Sequence, residues 1–236
     1  MSTEQKKGIE GLEYLPEPIL KYIRRKARNR VNIPHVYHVT ELTGCLRKAF
    51  FHRVFENIEV PLSSAWWFYR GNLFDEEWSP LFEKNQETKA ITRDGITIVG
   101  TYDFVFQNEK LGDTEPVVHD LKSTQSLYYL RKDDVPHKSH VEQVQAYMAM
   151  FGYNKGRIIY YDFSDNPIQF DVEKDEKILD KLFERAKMLD DAIKKKDPSS
   201  LPFPEEKYLC KEKYCDVHHL CVKDQMVRAG ILEDSK

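Results

Sequence analysis

Two short apolar segments of the sequence each carry an aspartate, and one of them also carries a lysine. Asp103 interrupts the segment that ends at Phe106, and Asp120 and Lys122 are two residues apart in the segment 116–123. On a β-strand, residues two apart lie on one face, so Asp120 and Lys122 would be neighbours. A buried aspartate or lysine is costly unless it is paired or bound to a metal ion. The pattern therefore predicts either a structural ion pair or a carboxylate site for Mg²⁺ or Mn²⁺, with the lysine orienting or activating water.

Further polar residues fall in two segments with helical spacing. Gln143 and Tyr147 are four residues apart, and both border the apolar stripe of the helix predicted over 139–152. They are either ordinary polar residues at the rim of that helix or side chains that lean toward the edge of the strand. Upstream, Asp75 follows Gly71 by one helical turn. A lone aspartate of this kind is typical of a solvated helix face, so only its combination with the other residues indicates a site.

Four cysteines form a second candidate site. Cys210, Cys215 and Cys221 lie close together in LCKEKYCDVHHLC, whereas Cys45 lies far upstream. The segment 1–18 has no apolar stretch behind its lysines, which argues against a secretory signal and predicts a cytoplasmic, reducing location. Reduced thiols are better candidates for metal ligands than for disulfides, and four thiolates can enclose Zn²⁺ or an iron–sulfur cluster. Buried free thiols and a disulfide are the alternatives.

The charge balance does not exclude a nucleic-acid partner. The 236 residues include 36 basic and 39 acidic ones, which gives a net charge of −3, but charge distribution matters more than the sum. The segment ILKYIRRKARNR (19–30) has basic residues and no acidic ones, so this predicted helix is either solvated or contacts phosphate. No apolar run approaches the ~20 residues that span a bilayer, so no membrane partner is expected. The candidate phosphate contacts are Arg24, Arg25, Arg47, Lys48 and Arg70.

Periodicity predicts the elements that would position these residues. The segment 91–106 has a turn at Asp94-Gly95 followed by alternating apolar residues, which predicts a hairpin whose second strand continues to Phe106. Helices are predicted over 19–30, 40–55, 63–84, 139–152 and 173–196, and further strands over 116–123 and in GRIIYYDF and PIQFDV. This order predicts a mixed α/β domain with the C-terminal tail folding back.

The same features divide the chain into four predicted regions. The cysteine-rich tail is expected to dock on the region that carries the first cysteine. The regions are a flexible N-terminus (1–18), an N-terminal helical region (19–62), a core (63–197) and a C-terminal tail (198–236).

The order of the first set of motifs resembles the RecB-like branch of the PD-(D/E)XK nuclease superfamily. The chain runs Gly71…Asp75, Gly100-Thr-Tyr-Asp103, Asp120-Leu-Lys122 and Gln143…Tyr147. The resemblance implies a restriction-endonuclease-like core, in which a RecB-type mixed sheet is flanked by helices, and a metal-dependent phosphodiesterase activity. The catalytic residues it implies are Asp103, Asp120, Lys122, Gln143 and Tyr147, and the implied Mg²⁺ or Mn²⁺ ligands are Asp75, Asp103, Asp120 and the carbonyl of Leu121. Asp75 stands where this pattern usually has a histidine, and a carboxylate is a harder ligand than imidazole.

The layout of one cysteine upstream and three near the C-terminus resembles the iron-staple nucleases. In length and layout the chain is similar to the small CRISPR-associated exonucleases of the Cas-four family, over about residues 38–222. The resemblance implies that Cys45, Cys210, Cys215 and Cys221 hold an iron–sulfur cluster, [4Fe–4S] in preference to [2Fe–2S]. It also implies exonucleolytic cleavage of single-stranded DNA, a role in processing CRISPR spacer precursors, and CRISPR integrase proteins as partners. A homo-oligomer is compatible with it.

Three alternatives stay open at the level of the sequence. The same type of nuclease occurs in recombination, repair and viral contexts. A nucleic-acid-binding protein without catalytic activity could retain the fold, as the aspartate at position 75 allows. A zinc-stapled interaction module is the third alternative, because zinc also accepts four thiolates.

Overall fold

The computed structural model describes residues 11–26, 32–55, 58, 60–162, 164–205, 207–212 and 214–230. Within these ranges the helices are α1 (Glu17–Lys26), α2 (Val39–Thr43), α3 (Leu46–Val54), α4 (Leu62–Trp78), α5 (Tyr128–Asp133), α6 (Lys138–Phe151), α7 (Ile178–Lys195) and α8 (His218–Arg228). The strands are β1 (Val36–His38), β2 (Lys84–Asn85), β3 (Thr88–Arg93), β4 (Ile96–Thr101), β5 (Phe104–Phe106), β6 (Val117–Ser123), β7 (Lys155–Tyr161) and β8 (Ile168–Glu173). The predicted mixed α/β class is confirmed.

The larger of two sheets has the strand order β2-β5-β6-β7-β8. β6 and β7 are parallel and α6 lies in the connection between them, whereas the other pairs are antiparallel. Both central strands are buried over most of their length, which is typical of parallel strands covered on both faces. The register pairs Asp120 with Ile158 and Lys122 with Tyr160. Tyr160 is therefore the neighbour of Lys122 on the adjacent strand.

The smaller sheet has the strand order β1-β4-β3. The predicted hairpin is present, since β3 and β4 are antiparallel and joined at Asp94 and Gly95, both at positive φ (51° and 78°), as in a type I′ turn. Its second strand does not continue to Phe106 as predicted. β4 ends before Tyr102, and β5 pairs with β6 in the larger sheet. Tyr102 and Phe104, on either side of the break, are both buried, but in different hydrophobic clusters. The apolar alternation of the sequence therefore continues although the chain changes sheets.

Two predicted helices have other bounds in the structure. The helix predicted over 40–55 is divided at Gly44 and Cys45 into α2 and α3, and Cys45 is the N-cap residue of α3. The helix predicted over 63–84 ends at Trp78, because a proline follows two residues later and cannot continue the hydrogen-bonding pattern. β2 occupies the end of the segment that the prediction assigned to the helix.

Part of the N-terminal prediction falls outside the described residues. The structure does not describe residues 1–10 of the segment predicted as flexible. It also does not describe residues 27–31, which include the end of the helix predicted over 19–30. α1 covers the first part of that helix. In the ranges given above, no helix is both long and apolar enough to cross a membrane.

The C-terminal segment lies against α3. Arg47 Nη1 donates to the carbonyl of Pro198 at 2.8 Å, and Nη2 forms an ion pair with Asp224 at 2.7 Å. The next residue, Lys48, places its Nζ 3.0 Å from Asp216 Oδ1. These contacts hold the C-terminal segment against α3.

α6 packs closely against strands of both sheets. A Cβ atom added to Gly156 of β7 would overlap Val144 Cγ1, and one added to Gly100 of β4 would lie 2.8 Å from Met150 Sδ. Such distances are shorter than real side-chain contacts, so both strands need glycine at these positions. The close approach fixes the position of α6 over the two sheets.

Candidate active site

The central strand of the larger sheet carries two site residues. Asp120 is 1% exposed, and Lys122 Nζ lies 2.5 Å from its Oδ2 atom. From the break between β4 and β5, Asp103 Oδ2 accepts a hydrogen bond from the Leu121 backbone N–H at 2.6 Å. Asp103 therefore takes the place of a strand partner for Leu121 just before β5 begins. The role of the Leu121 carbonyl as a metal ligand stays a prediction.

The polar stripe of α6 faces this strand. Gln143 Nε2 donates to Asp120 Oδ1 at 3.2 Å and to the Tyr147 hydroxyl at 2.7 Å. Gln143 and Tyr147 are both buried, so they do not lie at an exposed helix rim. The contacts form a continuous chain from Tyr147 through Gln143 and Asp120 to Lys122.

A third carboxylate, from α4, belongs to the same group of charges. Burial raises the pKa of Asp75 to about 6, with the Lys122 ammonium opposing the shift and the Asp120 carboxylate adding to it. Burial and the charges of Asp120 and Asp75 hold the pKa of Asp103 well above its usual range. Burial also lowers the pKa of Lys122, but the three carboxylates together raise it above its ordinary value. One lysine therefore faces three carboxylates.

The composition of this group fits a divalent cation. Carboxylate oxygens are the ligands that Mg²⁺ and Mn²⁺ prefer, and the excess of negative charge favours a cation. Asp120 Oδ2 is buried without a hydrogen bond of ordinary geometry, and its short contact with Lys122 is an ion pair. Within the described part of the chain, no three His, Cys, Asp or Glu side chains have the spacing of a complete metal site. Binding of a divalent ion would therefore require the carboxylate side chains to move closer together around it.

Three of the predicted phosphate contacts lie on α1 and α4. Arg24 and Arg25 are exposed on α1, and their contact with phosphate stays a prediction. Arg70 of α4 lies over the ring of Trp67 at 4.8 Å, and its Nη2 donates to the carbonyl of Thr124 at 3.4 Å. Burial lowers the pKa of Arg70. Arg70 thus joins α4 to the loop that follows β6, and its contact with phosphate also stays a prediction.

The side chains of the other two predicted phosphate contacts, Arg47 and Lys48, bind the C-terminal segment. Arg47 is 3% exposed, and its guanidinium is bound by Pro198 and Asp224. Arg47 therefore makes structural contacts, and its contact with phosphate stays a prediction. The sequence did not reveal this, because the partners of Arg47 are more than 150 residues away. Lys48 is paired with Asp216, so its predicted phosphate contact would have to compete with this ion pair.

The four cysteines are free thiols of intermediate exposure. Arg47 Nε donates to Cys221 Sγ at 3.3 Å. Burial raises the pKa of Cys210, and the Cys45 and Cys221 thiols raise it further. Burial likewise raises the pKa of Cys215, with Cys45 among the smaller contributions. Cys210 therefore lies within electrostatic range of Cys45 and Cys221, and Cys215 lies within range of Cys45. None of the four thiols is in a disulfide.

Sequence reasoning missed two polar residues beside the site. His140 precedes Gln143 by three residues and lies on the same face of α6, and Tyr160 is the neighbour of Lys122 on β7. The helical spacing of His140 and Gln143 was a usable signal. The position of Tyr160 depends on the register of β6 and β7, which periodicity does not give.

Comparison with known proteins supplies a fold and no family. No family model and no curated protein matches the chain. The solved structure of SSO0001 matches 87% of this chain and 95% of that chain, with a TM-score of 0.61 and 18% identity. The two proteins share a fold. Two exonuclease structures are less similar. A phage related exonuclease from Haemophilus somnus 129PT has a TM-score of 0.43 and 13% identity, over 71% of this chain and 98% of that chain. LHK-Exo in complex with dAMP, from Laribacter hongkongensis, has a TM-score of 0.47 and 10% identity, over 75% of this chain and 93% of that chain.

Proposed function

We propose that the protein is a metal-dependent deoxyribonuclease that hydrolyses phosphodiester bonds. The observation that carries this proposal is the buried chain of contacts from Tyr147 through Gln143 and Asp120 to Lys122, with two further carboxylates in the same electrostatic field. A structural ion pair needs one carboxylate for one lysine. A surplus of carboxylates beside a lysine suits a site that binds a metal ion together with a phosphate.

The proposed roles follow from the charges of the side chains. Asp75, Asp103 and Asp120 would hold Mg²⁺ or Mn²⁺, with the carbonyl of Leu121 as a further ligand. The ion supplies a more acidic water and neutralises charge on the phosphate. Lys122, held by Asp120, orients the attacking water and stabilises the charge of the pentavalent transition state. Water adds to phosphorus as the bond to the leaving oxygen breaks, so no covalent intermediate is needed.

Cleavage of end-labelled single-stranded DNA in Mg²⁺ or Mn²⁺ tests this proposal. Lys122→Ala and Asp120→Asn should each lower kcat/KM by about 10²–10⁴-fold, because each removes a charge that acts on the reacting phosphate. Asp180→Asn is the matched control, since Asp180 is exposed and pairs with Arg93 at 2.6 Å, away from the group of carboxylates. Chelation of the metal should abolish cleavage by the wild-type protein. A wild-type protein that binds DNA but cleaves it in neither metal would favour the non-catalytic alternative.

The finer assignment is a single-stranded DNA exonuclease that processes CRISPR spacer precursors with integrase proteins. It is supported by the order of the motifs and by the exposed Arg24 and Arg25, which suit phosphate contacts. An exonuclease should degrade a linear single strand and leave a circular one intact. Cleavage of the circle would indicate an endonuclease. Co-purification with integrase proteins tests the CRISPR role against a role in recombination, repair or a virus.

The proposal includes an iron–sulfur cluster held by Cys45, Cys210, Cys215 and Cys221, [4Fe–4S] in preference to [2Fe–2S]. Four half-buried thiols fit such a cluster by donor chemistry, and Cys210 lies within electrostatic range of Cys45 and Cys221. The neighbouring Arg47 guanidinium, which donates to Cys221, suits the negative charge of a thiolate-bound cluster. The cluster would fasten α3, in the proposed N-terminal region 19–62, to the proposed tail 198–236.

The absorbance of protein purified without oxygen tests the cluster. The wild-type protein should be brown and contain iron and labile sulfide, and Cys215→Ala should bleach the colour and lower the thermal stability. Lys211→Ala is the neighbouring control, because Lys211 is exposed. Zinc at one ion per chain without sulfide would replace the cluster by a zinc site. An unchanged spectrum in Cys215→Ala would contradict the assigned ligands.

A further inference from the structure

The polar stripe of α6 continues one helical turn beyond Gln143. His140 precedes Gln143 by three residues and Tyr147 by seven, so the three side chains lie on one face of the helix. His140 Nδ1 lies 2.8 Å from the hydroxyl of Tyr160 on β7. Tyr160 is in turn the registered neighbour of Lys122 across the parallel pair of strands. His140 is therefore held beside the proposed catalytic lysine from two elements.

The Tyr160 hydroxyl favours one tautomer of the neutral His140 ring. The hydroxyl accepts a hydrogen bond from the backbone N–H of His137 at 3.1 Å. The hydroxyl can then donate its own proton to His140 Nδ1, which accepts it. In this arrangement the neutral ring carries its proton on Nε2. The Nε2–H group is then a donor for a bound molecule.

We propose that His140 is a substrate-binding residue whose Nε2–H donates to a phosphate oxygen of the DNA strand, beside the phosphate that Lys122 contacts. This inference rests on the proposed function and adds a residue and a contact to it. A neutral donor suits this position, because burial disfavours the protonated form of the ring. Burial holds the pKa of His140 well below its usual range, and the charges of Lys122 and His137 lower it further.

Equilibrium binding of a short fluorescent single-stranded DNA with non-hydrolysable linkages, measured by anisotropy in Mg²⁺, tests the contact without cleavage. His140→Ala should raise Kd by about 10–100-fold, because a hydrogen bond to a charged oxygen is lost. His140→Gln should restore most of the affinity, since its amide N–H₂ can reach the position of Nε2–H. Gln145→Ala is the control on the same helix, because Gln145 Nε2 donates instead to the carbonyl of Glu173 at 3.0 Å.

The salt dependence of binding distinguishes a neutral donor from a cation. His140→Ala should weaken binding and leave the slope of log K against log[salt] unchanged. Loss of a cationic phosphate contact reduces that slope by about 0.7 for a single strand, and Arg25→Ala serves as the comparison. Tyr160→Phe should weaken binding in the same direction as His140→Ala, because the ring loses its orienting partner.

Each outcome has a distinct consequence. If His140→Ala binds DNA as the wild type does and only its thermal stability falls, the residue is structural and the proposal is overturned. If its slope falls as in Arg25→Ala, or if His140→Gln fails to recover affinity, the neutral donor is overturned. Wild-type binding without cleavage, with the expected His140 effects, would overturn the nuclease function and retain the phosphate contact. A wild-type protein that neither binds nor cleaves DNA overturns both.

Discussion

Buried charges in this molecule are compensated in two ways that differ residue by residue. Arg157 and Asp113 form a buried bidentate pair, with two N–O distances of 3.0 and 2.9 Å, and the Arg157 guanidinium lowers the pKa of Asp113. At the candidate site, burial raises the pKa of Asp120 although Lys122 opposes the shift. The opposite directions of the two pKa shifts distinguish an ion pair that stabilises the fold from a site where three carboxylates share one lysine.

The bidentate pair of Arg157 and Asp113 gives a prediction for stability. Asp113→Ala should lower the free energy of unfolding by about 3 kcal/mol, because it removes the buried partner of Arg157. Asp171→Ala is the matched control, since the Asp171 side chain is 71% exposed and contacts the same guanidinium at 2.6 Å. Its loss should be about 0–1 kcal/mol. Urea unfolding at neutral pH measures both variants, and equal losses would contradict the distinction.

At the scale of elements, α6 is the part of the fold that touches both sheets and the site. Its register against β7 depends on Gly156, since an added Cβ would overlap Val144 Cγ1 and lie 3.1 Å from Met148 Sδ. Neither neighbour is exposed, so little room is available for either to move. The position of Gln143 therefore depends on a glycine on the strand beneath the helix.

Two glycine substitutions test this packing. Gly156→Ala should lower the free energy of unfolding by about 1–3 kcal/mol through overpacking. Gly71→Ala in α4 is the control, because its Cβ would lie 3.7 Å from Ser123 Oγ, an ordinary contact. Alanine in a helix is favoured over glycine by about 1 kcal/mol, so this variant should be neutral or more stable. Thermal unfolding compares the two, and a stable Gly156→Ala protein would refute the close approach.

Helices and strands with strong periodicity could be predicted from the sequence. The face on which their regularly spaced residues lie could be predicted as well. The spacing of Asp120 and Lys122 places them on one face wherever β6 pairs, and Gln143 and Tyr147 follow from helical spacing. The break after β4 could not be predicted, because Tyr102 and Phe104 keep their alternation while the chain changes sheets. Burial of Arg47 depends on a distant segment, which local patterns do not contain.

For the whole molecule, the attachment of the C-terminal segment depends strongly on Arg47. Its guanidinium binds the carbonyl of Pro198, the carboxylate of Asp224 and the sulfur of Cys221. The ring of Phe203 lies 4.6 Å from the guanidinium carbon, which adds a cation–π contact. One side chain thus holds four points along the segment.

Limited proteolysis tests this attachment. Arg47→Ala should accelerate cleavage within 198–212 by about tenfold or more, because loss of a buried, hydrogen-bonded cation favours local opening by several kcal/mol. Lys48→Ala should have a smaller effect, since Asp216 keeps its contact with His52 at 3.1 Å. Equal cleavage rates in the wild type and Arg47→Ala would show that other contacts hold the segment.

The hydrogen bond between Arg47 and Cys221 joins residues 174 positions apart, which sets an order of events during synthesis. Ribosomes add about 5–20 residues per second, so roughly 10–35 seconds separate the appearance of the two partners. Throughout that interval α3 carries a cysteine and an arginine without the groups that later surround them. The cysteine site proposed above can be completed only once residue 221 has been synthesised, so its assembly would follow the formation of α3.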